Sequence, residues 1–212
     1  MDAQDKKIFI ADGHHRYETA LNYTKEMREK GIKGNYDYVL AFLCDMEDKG
    51  LAVFPTHRII DFDISTEDFL EKLSKYFNVK EICSCDLNKE MEAEFKKGNI
   101  SFGFYNGKKY VLLNLKNKEN LSQEMQGSKF YRELDVAVLE TMIFEKVLGL
   151  SKEDIAMQKH IKYVKDFNET IKFIDNKEYN FAFIMNPTRV EQIKNVALQG
   201  EVMPQKSTYF YP

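Results

Sequence analysis

Apolar residues recur at helical spacing between positions 12 and 30. Tyr17, Ala20, Leu21 and Met27 share one side, Glu26 stands four residues before Lys30, and Gly31 supplies a stop. This predicts a helix over 12–30, entered from a short apolar strand at 8–10. Asp12 is its expected N-cap, with Gly13, His14 and His15 in its first turn. Residues 36–46 carry Val, Leu, Phe and Tyr with no polar alternation until Asp45, and read as a strand buried on both faces. An Asp48-Lys49-Gly50 turn and a strand over 51–54 follow.

The same reasoning predicts a helix over 65–77, with Phe69, Leu70, Leu73 and Phe77 on one face. A second spans 87–97, with Leu87, Met91 and Phe95 aligned and Gly98 ending it. Strands at 100–105 and 108–115 flank Asn106-Gly107, the pair a type I′ hairpin turn favours. Residues 116–129 are polar and aperiodic and read as a connector before an apolar helix over 134–148. Three cap-like starts then follow, at Ser151, Asp166 and Thr188, with strands at 161–164 and 181–185. The expected fold is α+β, with helices packed on a mixed sheet and a β-hairpin at 100–115. Its expected parts are 1–115 and 130–212, joined by a linker at about 116–129.

Composition narrows the function. The 212 residues are 43% hydrophobic and 31% charged, which suits a packed globular chain. No apolar run approaches the roughly 20 residues a membrane helix needs, so no membrane partner is expected. A net charge of -3 with interspersed signs argues against a nucleic-acid surface. Cys44, Cys83 and Cys85 are too few and too irregular for a disulfide framework, and no signal peptide opens the chain. A cytoplasmic location is therefore expected. Cys83-Ser84-Cys85 lacks a second pair and reads as buried or idle thiols.

Candidate chemistry gathers at two His-Arg pairs, His15-Arg16 and His57-Arg58, in a chain with few of either residue. The first opens a helix, where free backbone N–H groups and the positive end of the dipole suit an anion and an Arg adds a planar fork. The second is expected in a loop just after a strand, where sites in α/β sheets gather. One pocket holding both would let Arg16 and Arg58 clamp phosphate, His14 or His15 shuttle protons, and Asp12 hold a cation. At 100° per residue His14 leans to the apolar side of the helix and His15 away from it. The bland alternative makes Asp12 a cap, His14 a packing residue and the arginines surface ion partners. Lys206, Ser207 and Thr208 have phosphate-loop donors, yet the chain has neither a P-loop nor a Gly-x-Gly-x-x-Gly pattern. No transition metal is expected, because adjacent helical histidines rarely share one ion.

Three stretches together resemble the prokaryotic domain-of-unknown-function family 1015. They are Ala11-Asp12-Gly13-His14-His15-Arg16-Tyr17-Glu18-Thr19-Ala20, then Pro55-Thr56-His57-Arg58, then the segment from Met203 to Pro212. In its Asp-Gly-His-His-Arg segment that family is similar to the ParB/sulfiredoxin superfamily, which includes free-serine kinases and nucleotide-binding partition proteins. The resemblance implies that Gly13, His14, His15 and Arg16 line a phosphate site, with Asp12 near a magnesium ion and ATP or ADP as cofactor. Sulfiredoxins carry a nucleophilic Cys where His14 stands, so sulfinic-acid reduction is not implied. Family members also carry a long segment before the motif, with a Pro-Pro-Tyr-Asp-like element, whereas only seven residues precede the strand here. A missing N-terminal domain, or self-association in its place, is accordingly expected.

The expected function is binding of a nucleotide or small phosphorylated ligand. Kinase-like phosphoryl transfer to or from a small hydroxyl metabolite such as serine would use Asp12, His14 and His15 in catalysis. Gly13, Arg16, His57, Arg58, Lys206, Ser207 and Thr208 complete the expected phosphate site. The alternatives are a non-catalytic nucleotide-sensing or protein-interaction module and a metal-dependent hydrolase.

Overall fold

A computed structural model describes residues 8–211, which divide into two compact units. The first comprises residues 8–52 together with Phe210 and Tyr211. Among the described residues its one helix, α1 (His14–Glu29), ends where Gly31 turns left-handed at φ 66°. Thr24 Oγ1 donates to the Tyr36 carbonyl at 2.5 Å, and Arg28 Nη2 meets Asp37 Oδ1 at 2.6 Å.

Two strands expected in this unit do not form. Residues 8–10 are irregular, and so are 36–46, where Tyr38, Leu40 and Phe42 are exposed instead of buried. A strand is stable only when a neighbour takes its N–H and C=O groups, and an apolar run does not disclose whether that neighbour exists.

The second unit, Val53–Tyr209, is α+β and carries a six-stranded sheet. After β1 (Ala52–Phe54) come β2 (His57–Ile60), α2 (Thr66–Ser74), β3 (Phe77–Ile82), α3 (Ser84–Lys96), β4 (Ser101–Tyr105) and β5 (Tyr110–Leu115). Three short helices follow, α4 (Leu121–Glu124), α5 (Lys129–Arg132) and α6 (Asp135–Val138), and the last runs into a π-helical stretch at Leu139–Glu145. Then come α7 (Lys152–Ala156), β6 (Ile161–Val164), α8 (Phe167–Asp175), β7 (Phe181–Ile184), α9 (Val190–Leu198) and β8 (Tyr209–Tyr211). The sheet order is β3-β5-β4-β7-β2-β6, and each pairing is antiparallel. Strands from both sides of residues 116–129 thus share one sheet, and within that segment Leu121 and Met125 are buried in the core.

Period-two alternation sends each strand's residues to opposite faces. One face carries Ile60, Phe102, Phe104, Val111, Leu113, Phe181 and Phe183, packed with Phe69 of α2 and Phe144 of the π-helical stretch. The other carries Ile59, Leu112, Ala182 and Ile184 beneath Leu87 and Met91 of α3 and Ile174 of α8. Capping follows the sequence at Ser65, Ser151 and Asp166, each of whose side chains accepts a backbone N–H three residues on. α9 departs from expectation: Arg189 is its N-cap, and Gln192 Oε1 accepts the Arg189 N–H at 2.9 Å. Thr188 instead donates its hydroxyl to the Ser207 carbonyl at 2.8 Å.

The hairpin forms, with Tyr105 opposite Tyr110, so its loop has four residues instead of a two-residue type I′ turn. Asn106 sets that loop by accepting the Lys108 and Lys109 N–H groups on Oδ1 at 3.0 and 2.8 Å, and Gly107 supplies the positive φ.

Candidate functional site

The candidate residues fall into two groups, one in each unit. In the first, α1 opens at Gly13, which lies in the left-handed region at φ 80° and ψ 26°. Gly13, not Asp12, is the N-cap, so His14, His15 and Arg16 form the first turn, one residue later than expected. No side chain caps this end among the described residues, and no acid stands in its first turn, so its N–H groups keep their anion-binding capacity. Asp12 is engaged otherwise, because Arg16 Nη2 donates to its Oδ2 at 3.0 Å with both side chains exposed. The guanidinium lies against Gly13, where an added Cβ would sit 2.8 Å from Nη2. His14 is half-buried, and His15 is exposed with Nδ1 3.6 Å from Glu18 Oε2.

The second group is built differently from the loop that was expected. His57 and Arg58 open β2, an interior strand between β7 and the edge strand β6, and are 4% and 1% exposed. As neighbours on one strand they project to opposite faces, so they cannot line a single pocket side by side. Arg58 spends its fork on backbone: Nη1 donates to the Thr56 carbonyl and Nη2 to the Lys206 carbonyl, the latter at 3.2 Å. Its guanidinium also lies over the Tyr163 ring, 5.3 Å from the centroid. Burial lowers the Arg58 pKa, and the nearby Glu140 carboxylate works against that shift. Thus Lys206 contributes its carbonyl to Arg58 while its side chain is exposed. Lys206 holds a left-handed φ of 54°, Ser207 is buried, and Thr208 is half-buried.

His57 is a buried neutral imidazole. The Met185 N–H donates to its Nδ1 at 3.1 Å, and Phe167 meets it edge-on at 6.3 Å. Burial, with the adjacent Arg58 charge, pushes its pKa down to about 4 against the small upward pull of Asp166. The native pKa lies below the unfolded one, so the stabilisation is complete above about pH 6.5 and is lost as pH falls toward 4. The full loss amounts to about 3 kcal/mol. Glu140 and Asp135, both raised by burial to about 7, act in the opposite sense and lose stabilisation as pH rises through that value. Urea titrations of wild type and His57→Asn isolate the His57 share. The stability difference between them should shrink by about 3 kcal/mol from pH 7 to pH 4, and parallel curves would remove the assignment.

Beside Tyr163 the second unit holds a cavity of about 710 Å³ whose lining includes Tyr131, Glu140, Glu145, Lys152 and Glu201. Glu201 accepts from Ser128 through both the backbone N–H, at 2.7 Å, and the hydroxyl. Burial raises the Tyr131 and Tyr163 phenols, and the Glu140 charge adds to both shifts. Glu140 can therefore exchange a proton near neutral pH in a cavity wide enough for a small molecule. Sequence reading missed it. The available signal was an acid directly after the apolar run at 136–139 and just before Met142-Ile143-Phe144.

With this geometry in place, the family model described as "Protein of unknown function (DUF1015)" matches residues 2–137. The chain belongs to that family. No curated protein matches it. Among solved structures, a free serine kinase mutant in complex with AMP superposes with a TM-score of 0.50 at 18% identity, covering 95% of this chain and 66% of that one. A conserved hypothetical protein from Pyrococcus furiosus gives a TM-score of 0.48 at 17% identity, covering 95% and 69%. This DUF1015 chain thus spans about two thirds of their length, and the likeness to the kinase is one of fold. Among its described residues, no helix is long and apolar enough to cross a membrane.

Proposed function

We propose that the chain binds the phosphates of a nucleotide, ATP or ADP, at the N-terminus of α1 and serves kinase-like phosphoryl transfer to or from a small hydroxyl compound such as serine. The observation that carries this reading is the uncapped helix start behind a left-handed Gly13, with Arg16 folded across it. The fold likeness to a free serine kinase seen with AMP supports it, as does the resemblance of Asp12–Arg16 to the phosphate cradle of the ParB/sulfiredoxin group.

In this reading the N–H groups of His14, His15 and Arg16 meet phosphate oxygens, and the Arg16 guanidinium leaves Asp12 for the phosphate. That frees the Asp12 carboxylate, an exposed oxygen donor of the kind Mg²⁺ prefers. When bound, the ion would supply charge neutralisation on the phosphates. His15, exposed beside the first turn, and His14 serve as hydrogen-bond donors or proton carriers. In the second unit, Arg58 holds the turn at 204–207 through the Lys206 carbonyl, and Lys206 is the exposed cation of that turn.

Thermal-shift titration with ATP, ADP and inorganic phosphate, each with and without Mg²⁺, tests the proposal. A ligand at about 100 times its dissociation constant should raise the melting temperature by roughly 5–10 °C. Arg16→Ala, which removes charge-assisted hydrogen bonds, should weaken binding by about tenfold or more. No shift for wild type, or an equal shift for Arg16→Ala, would refute it.

A further inference from the structure

The Cys83-Ser84-Cys85 thiols are exposed, so the expectation of burial does not hold for them. Cys83 is the N-cap of α3, a helix of 13 residues, with φ -71° and ψ 147°, while Cys85 lies within its first turn. This geometry brings the two sulfurs together, and the Cys85 thiol donates to Cys83 Sγ at 2.8 Å. That hydrogen bond favours the Cys83 thiolate, lowering its pKa, and raises the pKa of Cys85. Asp86 opposes the first shift, but the Cys85 backbone N–H and the Ser84 side chain work in its favour. The third cysteine, Cys44, is also exposed, and its thiol donates to the Asp45 carbonyl at 3.5 Å. An accessible thiol in contact with a second thiol able to resolve it has the arrangement of an oxidisable pair.

We propose that Cys83 and Cys85 form a solvent-facing dithiol that a peroxide converts reversibly to an intrachain disulfide. The Cys83 thiolate sulfur attacks one peroxide oxygen. An S–O bond forms, the O–O bond breaks, and the departing hydroxide takes a proton from solvent. Cys83 is thereby oxidised by two electrons to the sulfenic acid and the peroxide is reduced. The Cys85 sulfur, giving up its proton, then attacks the sulfenic sulfur, so that an S–S bond forms and the S–O bond breaks. Hydroxide leaves with that proton as a second water. Two thiols and one peroxide give one disulfide and two waters, and a dithiol reductant returns the two electrons and two protons. The pair sits where β3 hands over to α3, whose Leu87 and Met91 cover one face of the sheet, so oxidation acts on the start of a packed helix.

Trypsin cuts the chain so that one fragment, residues 81–89, carries both cysteines and another, 34–49, carries Cys44. The full chain is treated with hydrogen peroxide, quenched with N-ethylmaleimide, digested and weighed at successive times. Fragment 81–89 should lose two hydrogens and take up no maleimide, at about ten times the rate at which Cys44 is oxidised. Dithiothreitol should restore both labels. In Cys85→Ser, Cys83 should persist as a sulfenic acid that dimedone captures, and in Cys83→Ser the Cys85 thiol should oxidise no faster than Cys44. Maleimide uptake at Cys83 and Cys85 that tracks Cys44, disulfides joining separate chains, or unchanged Cys85 oxidation in Cys83→Ser would each overturn the proposal.

Discussion

Arg58→Met lowers the unfolding free energy by about 3–5 kcal/mol, the cost typical of removing one partner from a buried charged network. The side chain is 1% exposed and holds the Thr56 and Lys206 carbonyls, so truncation strands two acceptors and leaves the Tyr163 ring without its cation. It also removes the positive charge that holds the Glu140 carboxyl down, so Glu140 should protonate at a still higher pH. The double variant Arg58→Met, Glu140→Gln should recover part of the loss, because the orphaned acid is then neutral. Urea denaturation at pH 7.5 measures both. A single variant within about 0.5 kcal/mol of wild type would show Arg58 to be an ordinary surface-like residue.

Phe183→Ala is expected to cost a similar amount, about 3–5 kcal/mol. Phe183 lies on β7 with its ring centroid 5.6 Å from Phe104, 5.9 Å from Phe144 and 6.2 Å from Phe69. Those three rings come from a neighbouring strand, the π-helical stretch and α2, so the cavity left behind is walled by separate elements that cannot all collapse into it. Phe183→Leu, which keeps most of the volume, should cost less than half as much in the same urea titration, as cores tolerate roughly volume-conserving swaps at under about 1.5 kcal/mol. Equal losses for Ala and Leu would mean that ring packing, not volume, sets the energy.

The helices with good caps and one apolar face were legible from the chain. Ser65 and Ser151 announced α2 and α7, and Gly98 closed α3, because caps and stops are local devices that depend little on the remainder of the fold. Elements whose state depends on distant partners were not. Residues 36–46 have the composition of a buried strand without one beside them. Phe77, read as the end of a helix, instead opens Phe77–Ile82, the polar edge strand of the sheet, with Asn78, Lys80 and Glu81 exposed. His57 and Arg58 looked like loop residues because charge in a strand is rare. Only the fold reveals that Arg58 finds carbonyl acceptors from Thr56 and from Lys206, 148 positions away. At α1 the sequence placed the helix start to within one residue and mistook which residue caps it.

The most direct test of phosphate binding at α1 is an amide ¹H–¹⁵N spectrum of the assigned chain, recorded during titration with Mg²⁺ and ADP. Binding at the uncapped helix start predicts that the largest shifts fall on the amides of Gly13, His14, His15, Arg16 and Tyr17, and that Arg16→Ala moves the midpoint by about tenfold or more in ADP. Shifts confined to residues lining the Glu140 cavity, or none at millimolar ADP, would contradict the account.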